Sequence, residues 1–289
     1  MNPKDAKPTD PKPATLVDPK DAKPTDPKPA TPVDPKAVMP ALVDGLKELH
    51  LPTMRESFPQ AAEQARQESL SYERFLLELV NRECDERKQK RVERLLRDSR
   101  LPLEKNLAAF DLKRLPAKVV QQVRMLLTGE FADRRENVLV FGAVGSGKTH
   151  LLAAIAQELV RQGRRVFFSR CALLVQELLS AKQELRLPRF LKKLASHDIV
   201  LVDDLGYVQQ NREEMEVLFT FLAERYERGS VLLTSNLPFS KWEQIFRDPM
   251  TTAAAIDRLV HHSVIVELNL PSYRAEQAKK GKEKRDSES

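Results

Sequence analysis

The eight residues Gly142-Ala143-Val144-Gly145-Ser146-Gly147-Lys148-Thr149 fit G-x-x-x-x-G-K-[ST], the pattern of a loop that cradles phosphates. Glycines let the backbone curl until its N–H groups face the phosphate oxygens, at the positive end of the helix that follows. Lys148 is expected to set its ammonium between β- and γ-phosphates, and Thr149 to give its hydroxyl to Mg²⁺. His150 completes the candidate nucleotide-binding run. Further along, Ile199-Val200-Leu201-Val202 reads as a buried strand running into Asp203 and Asp204. Asp203 suits Mg²⁺ coordination opposite Thr149, and Asp204 is placed to orient and deprotonate a water. Asn236 ends a later strand at Thr234-Ser235, where an amide beside the γ-phosphate could hold that water; as an isolated turn residue it would mean nothing. Arg258, on a later helix, is a candidate arginine finger toward a neighbouring subunit, with a salt bridge to a nearby acid or a plain surface arginine as the alternative. Arg274 is a candidate nucleotide contact within its own subunit.

The elements that must position these residues are legible as a change of texture at Asn137. Short apolar strands are expected at Asn137–Phe141, Arg165–Ser169, Asp198–Val202, Ser230–Thr234 and Ser263–Glu267, with helices near Lys148–Gln162, Ala172–Lys182, Glu213–Arg228 and Thr252–Val260. Such alternation predicts a parallel sheet covered by helices on both faces. Upstream, residues 37–133 read as helical: Ala41–Leu49, Met54–Arg66, a long helix starting after an N-cap at Ser71 and running to about Asp98, and Pro116–Leu127 ending near Gly129. Residues 1–36 hold ten of the 19 prolines and a 16-residue unit, PKDAKPTDPKPATLVD, given twice with one change. With no aromatic residue and no glycine, this stretch is expected to be a disordered arm. The expected division is thus 1–36 arm, 37–133 helical domain, 134–274 nucleotide-binding domain and 275–289 polar tail.

Composition narrows the classes. The 289 residues are 41% hydrophobic and 31% charged, with no apolar run approaching a membrane span and no leader-like segment behind Met1. Cys84 and Cys171 stand too far apart for a disulfide framework or a metal motif, which suits a reducing cytoplasm. None of His50, His150, His197, His261 and His262 has zinc-ligand spacing, and His261-His262 reads as a polar helix end. The net charge of +6 is spread thinly. One local cluster stands out, Arg87, Lys90, Arg91, Arg94 and Arg97 at helical spacing: either a surface for DNA phosphates or a solvated face neutralised by Glu86, Glu93 and Asp98.

Taken together, GAVGSGKTHLLAAIA, IVLVDDLGY, LLTSNLPFSKW and AAIDRLVHHSVIVELNLPSYR resemble the IstB-type transposition helper ATPases, a branch of the AAA+ superfamily near the bacterial helicase loaders. The stretch from Leu51 to Arg91 resembles the helical N-terminal region of those helpers. The resemblance implies an α/β AAA+ P-loop domain preceded by a small helical one. It also implies an ATP- and Mg²⁺-dependent homo-oligomer that binds double-stranded DNA and stimulates a transposase encoded beside it. It implies that Arg258 acts across a subunit interface and that the helical region helps engage DNA. Asp204 departs from the glutamate that many AAA+ proteins carry there, and only 15 residues follow Arg274, too few for a helical lid. A helicase loader, a non-hydrolysing nucleotide-binding scaffold and a P-loop kinase are the competing readings. The kinase would place the phosphate-loop strand directly beside the strand that ends in the aspartates.

Overall fold

The computed structural model describes residues 35–206, 211–246 and 248–273; residues 1–34 of the expected arm, Arg274 and the polar tail lie outside them, while the last two residues of that arm, Pro35 and Lys36, open a helix. The chain forms two compact units that divide between Glu83 and Cys84.

In the first unit, α1 (Pro35–Glu48), α2 (Pro52–Gln67) and the start of α3 (Tyr72–Asp98) bury Leu46, Met54, Ala61 and Leu79 together, with Phe58 and Phe75 packed against them. No side chain at Leu51, the residue before α2, caps that helix. The buried Glu83 does so from α3, its Oε2 accepting the Met54 N–H at 3.0 Å, where a carboxylate also meets the positive end of the helix. Ser71 caps α3 as expected, its Oγ 3.3 Å from Arg74 N.

The second unit begins within α3 and carries α4 (Ala117–Leu127), the single turn α5 (Glu130–Asp133), β1 (Asn137–Gly142), α6 (Lys148–Arg161), β2 (Val166–Arg170), α7 (Cys171–Gln183), α8 (Leu187–Ala195), β3 (Ile199–Leu205), α9 (Arg212–Arg225), β4 (Ser230–Ser235), α10 (Glu243–Phe246), α11 (Pro249–Val260) and β5 (Ser263–Leu268). The strands form one parallel sheet in the order β2-β3-β4-β1-β5. β1 therefore pairs with β4 rather than β3, unlike the kinase arrangement. Side chains alternate across the sheet. Val138, Val140, Leu201 and Val266 enter the core beneath α4 and α6, while Leu139, Val200, Val202 and Leu233 enter the core beneath α7, α8, α9 and α11. With both faces covered, the strands read as nearly continuous apolar runs.

The expected boundary at 133/134 is displaced to 83/84. Leu95, Leu96, Leu101, Leu115, Val119, Val123, Leu126 and Phe131 share one core with α6, so the chain from the second half of α3 to α5 belongs to the nucleotide-binding unit. The Ser99 carbonyl also accepts the outward Phe168 N–H of the edge strand β2 at 2.8 Å. Helix α8 is an element that the sequence pattern did not single out.

A buried arginine ties the other end of the sheet. Arg225, 3% exposed, donates from Nη1 to the Leu194 and His197 carbonyls and from Nη2 to those of Asp198 and Ser230, at 2.8–3.2 Å. Burial pushes its pKa down to about 10, which leaves it charged at neutral pH. It joins the end of α8 to the starts of β3 and β4. Arg225→Leu would strand four buried acceptors, and we expect a loss of roughly 3 kcal/mol in unfolding free energy. A denaturant titration showing a loss below about 1 kcal/mol would remove Arg225 from this role.

Candidate nucleotide site

β1 delivers the chain to the phosphate loop and α6 leads out of it. Gly147, the residue capping α6, has φ 97° and Gly145 has φ 81°, left-handed conformations that side chains other than glycine adopt at a cost. At Gly142 a Cβ would stand 2.5 Å from the Leu268 carbonyl oxygen, so the loop can approach β5 only without a side chain there. Lys148 is buried, and its Nζ donates to the Gly142 and Ala143 carbonyls at 2.9 Å each, which holds the ammonium within the loop. Ala143 and Val144 are exposed at the loop's crest. Ser146 Oγ is buried without a hydrogen-bond partner among the described residues, a donor left over for a ligand oxygen. His150 Nε2 lies 3.0 Å from the Asn106 carbonyl oxygen, with its ring edge-on to Phe110.

The carboxylates stand at the ends of the strands, where parallel sheets bind ligands. Asp203 is 3% exposed, and its Oδ1 accepts the Thr149 hydroxyl at 2.7 Å and the Thr234 hydroxyl at 2.6 Å. The Thr234 oxygen in turn accepts the Asp204 N–H at 2.8 Å. Asp204 has φ 61°, at an irregularity in the β3–β4 register between Val202 and Leu205. Burial, and then the charge of Asp203, push its carboxyl above the usual aspartate range, with Lys148 opposing. Asn236 is half-buried just beyond β4, its Oδ1 unpartnered among the described residues. A hydroxyl paired with a buried carboxylate beside a phosphate loop is a donor set that suits Mg²⁺ on a nucleotide, so the residues present fit that group.

The structure adds residues that the motifs do not contain. Lys105, Ala109, Phe110, Asp111 and Arg114 come from the segment before α4 and, with Leu270 and Tyr273, wall a cleft that continues from the loop 144–150 and Asp204. The Arg114 guanidinium lies 5.1 Å from the Tyr273 ring centre and donates to the Pro271 carbonyl at 3.3 Å. Gln157 donates to the carbonyls of Pro102 and Lys105 and so pins this segment to α6. Apolar walls beside a phosphate loop suit a nucleobase. No motif singles out Phe110, which stands in the irregular stretch Leu107-Ala108-Ala109-Phe110-Asp111 between α3 and α4.

Arg258 is not brought to the phosphate loop of its own chain. Its carbonyl lies 3.4 Å from Asn137 Nδ2 at the start of β1, about 16 Å of strand from Gly142. Its guanidinium sits 4.6 Å from the Phe219 ring centre, and Nη1 donates to the Ala254 carbonyl. Arg87, Lys90, Arg91, Arg94 and Arg97 are all exposed on α3, with Lys90 paired to Glu86 at 3.1 Å. They belong to the same compact unit as the nucleotide site, rather than to a separate helical domain as expected.

The IstB-like ATP binding protein family matches residues 44–281. The chain belongs to this family. An insertion sequence ATP-binding protein of Sinorhizobium fredii is 42% identical over 83% of this chain and 81% of its own length. The insertion sequence IS21 ATP-binding protein of Pseudomonas aeruginosa is 38% identical over 83% of this chain and 89% of its own. Among solved structures, the DnaC helicase loader superposes with a TM-score of 0.50 over 57% of this chain and 97% of its own, at 16% identity. A DNA replication initiation factor gives 0.52 over 64% and 56%, at 21% identity. These likenesses establish an AAA+ P-loop fold for this IstB-like chain. Among its described residues no helix is long and apolar enough to cross a membrane.

Two substitutions separate the parts of the cleft. Lys148→Ala should abolish measurable ATP binding in calorimetry, and normal affinity would reject the phosphate-loop reading. Phe110→Ala should weaken ATP binding by about 1 kcal/mol, roughly fivefold, while leaving the melting temperature close to normal. Unchanged affinity would take Phe110 out of the nucleotide site.

Proposed function

We propose that this chain is an ATP-dependent DNA-binding helper of a transposase, assembling as a homo-oligomer on double-stranded target DNA and hydrolysing ATP at the interfaces between subunits in the cytoplasm. The observation that carries this reading is the separation of Arg258 from the phosphate loop by the length of β1. An arginine side chain cannot span that distance, so Arg258 can serve a γ-phosphate only in a neighbouring copy. The insertion sequence names borne by the relatives support a transposase as the partner.

In this reading, residues 142–150 grip the triphosphate through backbone N–H groups, the Ser146 hydroxyl and Lys148. Thr149 and Asp203 would hold Mg²⁺, which would neutralise phosphate charge. Asp204 takes a proton from the attacking water, its raised pKa making it a stronger base than an ordinary aspartate. Asn236 offers to that water its Oδ1, which has no partner among the described residues. Arg274 lies outside the described residues, and its contact with nucleotide stands on the motif alone. The exposed stripe from Arg87 to Arg97 supplies cations for DNA phosphates.

Mixing variants tests the interface. Arg258→Ala should bind ATP normally and lose turnover in the assembled state, whereas Lys148→Ala should fail to bind ATP. Combined, each supplies what the other lacks, so part of the activity should return; no recovery at any ratio would overturn action between subunits. The DNA reading is tested by replacing Arg87, Arg91 and Arg94 with Ala. Affinity for duplex DNA should fall regardless of sequence, and the slope of log affinity against log salt should flatten by about 0.9 for each lost phosphate contact. An unchanged slope would assign the stripe to solvent or to a protein partner.

A further inference from the structure

We propose that Glu227, His261 and His262 form a binding site for a divalent transition metal, with zinc as the best match. The site lies at the end of the sheet remote from the phosphate loop. His261 caps α11 and His262 leads into β5, its carbonyl accepting the Asn137 N–H at 2.7 Å. Glu227 lies 34 residues before His261, in the turn between α9 and β4. The fold brings one ligand atom from each to within 4.8 Å of the other two. In a tetrahedral site with metal–ligand distances near 2.1 Å, ligand atoms stand about 3.4 Å apart, so side-chain rotation of an ångström or so closes the set. All three side chains are exposed and free to make that adjustment without opening the core.

The surroundings fix the Glu227 backbone and contact the His261 ring. Glu227 has φ 58°, a backbone conformation that costs a non-glycine residue energy, and its carbonyl accepts Arg135 Nη1 at 2.7 Å. The Tyr226 hydroxyl lies 3.0 Å from His261 Nδ1 and sets that ring's orientation, as outer partners of metal-binding histidines do. The imidazole rings of His261 and His262 are 4.1 Å apart, centre to centre. Two imidazoles and a carboxylate select zinc, nickel, cobalt or copper over magnesium, and three protein ligands leave a coordination position open. The same cleft contains Arg134, Arg135 and Arg258. Arg134 is neutralised by Glu130 and Glu136, so Glu227 is not the only negative charge present.

A metal here would tie the end of α11 to the α9–β4 turn. Arg258 sits one helical turn before His261, so its mobility would be set by the same site. Metal binding itself does not depend on the transposase reading or on ATP hydrolysis, and each can fail without the other.

The test uses untagged, full-length, nucleotide-free protein titrated with Zn²⁺ in calorimetry and with Co²⁺ in visible absorption. One Zn²⁺ per chain and ligand-field bands of nitrogen- and oxygen-bound Co²⁺ are expected. Glu227→Gln and His262→Ala should each weaken binding at least about tenfold, and the His261→Ala/His262→Ala pair should abolish it. The residues are exposed, so these variants should keep normal ATP affinity, which reports that the unit is folded. No bound Zn²⁺ at micromolar concentration, or unchanged affinity in the double variant, would overturn the proposal.

Discussion

A single buried carboxylate oxygen organises the nucleotide end of this protein, because Asp203 Oδ1 accepts hydroxyls from both Thr149 and Thr234. Those two bonds join α6, β3 and β4 at the place where the phosphate loop turns into its helix. A carboxylate taken out of water requires such partners, and their absence would leave a charge without compensation. Meeting that requirement also places a hydroxyl and a carboxylate together in the arrangement that suits a magnesium nucleotide. Stability and binding therefore draw on one set of atoms, and Thr234 extends the set by accepting the N–H of Asp204.

The parallel sheet gives the molecule two unlike ends. At one, the glycines of the loop, Asp203, Asp204 and Asn236 gather at the C-terminal ends of the neighbouring strands β1, β4 and β3. At the other, Asn137 binds the carbonyls of Arg258 and Leu259, and Arg225 gathers four carbonyls from three elements. Strand length alone keeps Arg258 away from its own chain's phosphate loop. An arginine held at this end of the sheet can reach a phosphate loop only in another copy, which links assembly to chemistry in our reading.

Much of the fold and the core of the site could be read in one dimension. The five strands fall within three residues of their expected ends, since a sheet covered on both faces writes itself as short apolar runs. The loop 142–149 was legible because its residues are contiguous and each has a local reason for its type. The left-handed Asp204 was not, because a bulge between Val202 and Leu205 arises from pairing with β4 and not from the residues of β3 alone. The wall made by Phe110 and Arg114 was also hidden, since its segment carries no regular pattern and is held by Gln157 from a distant helix.

Sequence by itself determined the family, the phosphate loop, the order of elements and the basic stripe, all of which depend on residue type and short spacing. Tertiary structure decided what depends on distant segments meeting. It set the division at Glu83 and Cys84, because Leu95 and Leu96 find their apolar partners in the core of the nucleotide-binding unit and not among α1 and α2. It capped α2 with Glu83, a residue 29 positions away from the Met54 N–H it accepts. It also carried Glu227 to His261 and His262, a meeting that spacing along the chain could not show because the turn after α9 and the end of α11 are neighbours only once the sheet has formed.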